Sequence, residues 1–169
     1  VNDMNTTKKG DWLENQIFNL LKEEISQDRF FVKKENCRIY QKMGYYSKDR
    51  EKDIIFDIAV EVFLPGQGKY SLLILIECKN YNHSVPADDV EEFYQKIQQI
   101  SGGNVKGIIA ANNSFQESAF KFSKSKGLGL LRYYDPSELN WILPRSPSSL
   151  VSSSYAINEW RIARSGLTI

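Results

Sequence analysis

Apolar residues recur at helical spacing in the first part of the chain. Leu13, Ile17, Leu20, Leu21 and Ile25 share one side of a helix, and Thr6 and Thr7 offer it a start, which predicts an amphipathic helix from about Lys9 to Gln27. The pattern then changes to strands. Two apolar runs, Ile54 to Leu64 and Ser71 to Tyr81, are joined by Pro65-Gly-Gln-Gly-Lys69, a segment that can close a β-hairpin through a residue at positive φ. Pro86 opens a second helix with Asp88 and Asp89 in its first turn, and Val90, Phe93, Tyr94, Ile97 and Ile100 form its buried stripe. Val105 to Ala111 and Leu128 to Tyr134 read as core strands. Between them Ser114-Phe-Gln-Glu117 is a capping-box pattern for a third helix, which Gly127 can end. Strands alternating with helices imply an α/β fold, a mixed β-sheet flanked by helices on both faces. After Asp135 the pattern decays. The core is therefore expected over residues 1–135, with 136–169 a Ser-rich connection and C-terminal extension leading to a further domain.

The second run ends in charge. Glu77-Cys78-Lys79 closes a stretch suited to burial, and an ionised carboxylate is costly to bury unless a cation or hydrogen bonds compensate. The hairpin supplies a second acid. If Gly66, Gln67 and Gly68 form a three-residue loop, Pro65 pairs with Lys69, paired numbers sum to 134, and Asp57 falls opposite Glu77. Two like charges so placed need something positive between them, and Lys79 projects from the same face as Glu77. Asp, Glu and Lys then converge on one small volume, and a divalent metal is one means of holding the acids.

Asp57 followed by Glu77-Cys78-Lys79 at the end of an apolar strand, with a helix after it, resembles the PD-(D/E)xK nuclease superfamily and, more narrowly, its Mrr-like restriction endonuclease branch. The likeness runs from about Lys8 to Tyr134. It includes a leading helix with an acid at Trp12-Leu-Glu14; the sequence departs from the superfamily name in having Phe56 where the Pro would stand. The resemblance implies the restriction-endonuclease-like fold and a metal-dependent endonuclease acting on DNA phosphodiester bonds, in restriction or another defence against invaders. Asp57, Glu77 and Lys79 are the catalytic residues it implies, and Glu14 matches the position of an acid that lies near the metal site in this family. Gln95 and Lys96 lie on the helix after Glu77-Cys78-Lys79, where family members place a polar residue that touches the site; Gln95 is the candidate there. Asp57, Glu77 and the backbone carbonyl of Cys78 would hold Mg²⁺ or Mn²⁺, ions that suit hard oxygen ligands. A catalytically silent nucleic-acid-binding or assembly domain with the nuclease fold is the rival reading. An ion pair of Lys79 with the two acids that serves stability alone is a third.

The overall net charge of +1 conceals an uneven distribution. Between Arg29 and Lys52 eight basic residues face three acids, with Phe30, Phe31, Tyr40, Tyr45 and Tyr46 interleaved. Basic groups neutralise phosphates and aromatic rings stack on bases or sugars, so Lys33, Lys34, Arg38, Lys42, Tyr46, Lys48 and Arg50 are candidate nucleic-acid contacts. DNA, double-stranded, is the expected partner, and a homodimer would supply the two sites that cutting both strands needs. No apolar run is long enough to span a bilayer, which predicts no membrane association. Two cysteines, Cys37 and Cys78, make no disulfide framework, and a reducing cytoplasm is expected. Neither a Walker A sequence nor G-x-G-x-x-G after a strand is present. His83 is the single histidine, which leaves little for a triad or a zinc site and reads as a loop residue. A start at Val1 instead of Met suggests a piece of a longer protein.

Overall fold

The central hairpin pairs as its numbers suggest. In the computed structural model, which describes residues 6–100, 104–135 and 138–143, β2 (Lys52–Val62) and β3 (Leu72–Lys79) run antiparallel with Ile58 opposite Ile76 and Val62 opposite Leu72. Every observed pair sums to 134. The connection is longer than a three-residue loop, because the ladder closes at Ser71 N–H to Val62 O and a tighter turn lies inside it. Gln67 N–H returns to Leu64 O at 3.1 Å, and Gly66 has φ +77. Pro followed by a left-handed Gly is the type II turn signature, so Pro65-Gly66 makes the bend.

Before this hairpin come α1 (Thr6–Ser26) and β1 (Cys37–Ser47), and after it α2 (Ala87–Gln98), β4 (Val105–Ala111), α3 (Glu117–Lys126), β5 (Gly129–Asp135) and β6 (Glu138–Leu143). The six strands lie in chain order; β3, β4 and β5 are parallel and the other pairings antiparallel. Two successive crossovers that advance in the same direction put both helices on one face when each is right-handed. Accordingly α2 and α3 share a core with Leu73, Leu75, Ile109 and Leu130, whereas α1 lays Leu13, Ile17, Leu21 and Ile25 against Ile58, Val60, Ile74 and Ile76 on the other face. Each such fully buried Leu or Ile contributes about 1.5–3 kcal/mol. This is the mixed sheet with helices on both faces expected from the sequence.

Three elements differ from expectation. β1 is a full strand within the basic segment, where interspersed charges hide the alternation. α3 starts at Glu117 with Gln116 as its N-cap; Ser114 instead pairs its hydroxyl with that of Ser84 at 2.7 Å, so the capping box is not formed. β6 continues the sheet past Asp135, where the pattern was expected to decay. The Ser-rich stretch and the rest of the extension lie outside the described residues.

The β1–β2 pair changes layer midway. On β1, Cys37 and Ile39 pack in the α1 core while Met43 and Tyr45 pack in the α2–α3 core; on β2, Ile58 and Val60 belong to the first and Ile54 and Phe56 to the second. Strand alternation would keep each set on one face. The pairing register is unchanged on either side, from Gln41 opposite Ile58 to Met43 opposite Phe56, but the intervening position drops out of the ladder. Lys42 stands there with φ +50, a left-handed conformation uncommon for a lysine. Its counterpart across the pair is Asp57.

Candidate active site

Asp57 occupies the point where three runs of pairing stop. The β2–β3 ladder ends at Ile58 opposite Ile76, so Asp57 does not stand as a ladder neighbour of Glu77, although the register points there. Its carboxylate reaches across instead: Oδ2 accepts the backbone N–H of Cys78 at 2.8 Å, and Oδ1 accepts from Lys42 Nζ at 3.1 Å. The ammonium of Lys42 also bonds Glu14 from α1. Glu14 is only 3% exposed, next to Leu13 on the buried side of its helix, and Gln41 Nε2 donates to its second oxygen at 3.3 Å. Burial raises the carboxyl pKa of Glu14, the Lys42 hydrogen bond opposes that rise, and the charge of Asp57 adds to it. Burial would lower the pKa of Lys42, but its bonds to Glu14 and Asp57 outweigh this and raise it.

Glu77 leads a second cluster on the α2 side. Its Oε1 accepts from Lys79 at 3.3 Å and from Lys96 at 3.2 Å, and Lys96 also pairs with Glu92 one turn earlier. Burial acts to lower the pKa of Lys96, and Glu77 overrides it, raising the value. Cys78 lies between the clusters with its side chain toward the α1 core. Burial pushes its thiol well up, and the charges of Asp57, Glu14 and Glu77 all reach it and add to the rise. The raised value disfavours the thiolate, the form in which sulfur serves as a soft metal ligand.

Glu14, Asp57, Glu77 and Lys79 are thus gathered where the middle of β2 meets the end of β3, in two clusters: Lys42 bridges Glu14 and Asp57, and Lys79 and Lys96 bond Glu77. Gln95 is not among them. It is exposed on α2, and its neighbour Lys96 faces Glu77. Lys42 carries a different part from the one its segment suggested, since it serves the acids instead of standing free in a basic patch. No strand was predicted for its segment, so nothing in the pattern aligned it with Asp57. Among the described residues no three Asp, Glu, His or Cys side chains close on a single point as an ion cage would. The donors are nevertheless all hard oxygens, and the ammonium between Glu14 and Asp57 is already a cation in their grasp, so the set fits a small divalent ion.

The rest of the basic segment is spread along an exposed edge. Lys33, Lys34, Arg38, Lys48 and Arg50 are exposed, with Lys34 3.9 Å from Asp28, Arg38 over the Phe63 ring and Arg50 bonded to Gln99 at 2.9 Å. Tyr46 and Ile55 are 54% and 56% exposed on the outer side of the β1–β2 arm. After Lys79 the chain passes Tyr81, whose backbone is clasped from both sides by the Asn112 side chain at the end of β4. His83 stacks on Tyr81 with ring centroids 4.8 Å apart. No helix among the described residues is long and apolar enough to cross a membrane.

Comparison with known proteins supplies a family. The Mrr_cat model, described as restriction endonuclease, matches residues 27–138, which includes every residue of the site except Glu14. Comparison with curated proteins finds no match. A solved structure of the protein of unknown function AF1548 is similar over 69% of this chain and 54% of its own, with 18% identity and a TM-score of 0.51. A repair endonuclease from Pyrococcus abyssi is similar over 73% of this chain and 47% of its own, with 21% identity and a TM-score of 0.47. The chain therefore spans about half the length of the solved structures it matches.

Proposed function

Because the chain belongs to the Mrr_cat restriction endonuclease family, we propose that it is a metal-dependent endonuclease that hydrolyses DNA phosphodiester bonds, with Asp57, Glu77 and Lys79 at its catalytic centre. One observation carries the assignment of residues. The Asp57 carboxylate accepts the Cys78 N–H at 2.8 Å and so fixes the Asp strand to the strand of Glu77 and Lys79. Asp57 and Glu77, the Cys78 carbonyl and, from α1, Glu14 are the residues that would hold Mg²⁺ or Mn²⁺. Such an ion, when bound, supplies polarisation of the scissile phosphate and a lowered pKa for water. Lys79, bonded to Glu77, orients the attacking water and offsets the negative charge that develops on the phosphate oxygens. Lys96 keeps Glu77 aimed by bonding the same oxygen.

Double-stranded DNA would lie along the exposed β1 side, where Lys33, Lys34, Arg38, Lys48 and Arg50 neutralise phosphates and Tyr46 offers a ring to a sugar or base. Two copies would bring two sites to the two strands. Action in the cytoplasm, in restriction or another defence against invading DNA, suits this chemistry. Incubation with plasmid DNA and Mg²⁺ or Mn²⁺ should give nicked and linear products. Cleavage that persists in both Glu77→Ala and Lys79→Ala would sink the placement of the site.

A further inference from the structure

Lys42 departs from what its strand should dictate. It has φ +50 in the interior of β1, where Gly or Asn is the usual occupant of that backbone region. This conformation sends its ammonium to Glu14 and to Asp57, the two acids that reach the site from α1 and β2. Glu77 has cations of its own in Lys79 and Lys96. Glu14 and Asp57 have Lys42 between them, and a carboxylate as buried as Glu14 needs such a partner. Yet the Lys42 side chain is 53% exposed, so its head can swing into solvent without unpacking either core.

We propose that Lys42 is an exchangeable internal cation: its ammonium holds Glu14 and Asp57 together in the metal-free protein and gives up that position when a divalent ion binds the same oxygens. The inference rests on the metal-dependent reading above. Lysine and ion cannot share the gap, because two positive centres would then lie side by side between the same two carboxylates. Exchange has two effects. The acids stay aligned and paired before the ion arrives, and the displaced ammonium is left at the mouth of the site, where a DNA phosphate can take it up.

The test is Mn²⁺ binding, measured by calorimetry and by the Mn²⁺-induced rise in melting temperature, on the full chain and on Lys42→Met and Lys42→Gly. Glycine adopts the left-handed backbone freely and safeguards folding if methionine does not. With the competitor removed, both variants should bind Mn²⁺ at least about tenfold more tightly than wild type, a change of about 1.4 kcal/mol. Without metal they should melt below wild type, and saturating Mn²⁺ should close that gap. Equal or weaker Mn²⁺ binding in either folded variant overturns the exchange while leaving the metal-dependent reading intact. Absence of Mn²⁺ binding in wild type and variants alike overturns both.

Discussion

Replacing Asp57 by alanine and by asparagine separates its structural work from its chemistry. Alanine removes the acceptor from the Cys78 N–H, 2.8 Å away, and one of the two carboxylates that Lys42 bridges. A buried N–H left without a partner costs about 1–3 kcal/mol. Lys42 keeps Glu14 and is half exposed, so the lost ion pair adds at most about 1 kcal/mol. Asparagine keeps an amide oxygen of the same reach for the N–H and loses only the charge, so it should cost about 1 kcal/mol or less. For a chain of this size each kcal/mol moves the melting temperature by about 2–4 °C, so the combined loss of about 1–4 kcal/mol places Asp57→Ala roughly 2–16 °C below wild type and Asp57→Asn no more than about 4 °C below. Both variants should lose plasmid cleavage, because neither presents a carboxylate. Thermal melting and a plasmid assay on the same preparations give both readouts. Equal melting of the two variants would refute the structural part, since the Cys78 bond would then contribute nothing. Wild-type cleavage by Asp57→Asn would refute the chemical part.

Two further predictions test the framework around the site. A Cβ at Gly107 would lie 2.7 Å from Leu128 Cδ2, 2.8 Å from Ile97 Cδ1 and 2.9 Å from Phe93 Cε1; Gly107→Ala should therefore lower stability in denaturant titration by about 1–3 kcal/mol, and an unchanged midpoint would show that α2 is free to move. Tyr81 is pushed up from 10.0 to about 12 by burial, by its hydrogen bond to Asp89 and by the Asp89, Glu77 and Glu92 charges. With the folded value above the unfolded one, the stabilisation is whole below pH 10 and is lost as pH rises through 12. Tyr81→Phe should lose less stability than wild type over that window, and parallel losses would contradict the assignment.

What the residue pattern revealed and concealed divides along physical lines. The hairpin register was readable because both runs are apolar and continuous, so their burial fixes which residues can face each other, whatever loop joins them. Its turn was misread as Gly66-Gln67-Gly68 since the Pro-Gly pair one step earlier closes a tighter turn and leaves slack after it. Glu14 was brought toward the site by the family resemblance, and it is buried on the inner side of its helix. The layer change was not readable. Ile54, Phe56, Ile58 and Val60 share one parity and look like a single face, while two different cores receive them. Nothing marks Lys42 as the pivot, because a lysine carries no signal for a left-handed backbone. Ser114 shows the opposite failure, a strong local cap motif overridden when Ser84 offered its hydroxyl across the fold.

The layer change explains why the acids meet here. Were β2 to continue beside β3 through Asp57, the Cys78 N–H would be open to a β2 backbone carbonyl, and Asp57 would stand beside Glu77 as a like charge on the same face. Instead β2 turns away at Asp57, its earlier half crosses to the α2–α3 core, and the freed N–H takes the carboxylate. The two acids are thereby held on either side of Cys78, Asp57 with Lys42 and Glu77 with Lys79 and Lys96, close enough that both charges act on the same thiol. Glu77, Cys78 and Lys79 close β3 at the end where it stays paired with the parallel strand β4 but no longer with β2. The strain at Lys42 and the interrupted ladder are therefore both spent at one spot, the site, while the remaining pairs of β1 and β2 keep their register on either side.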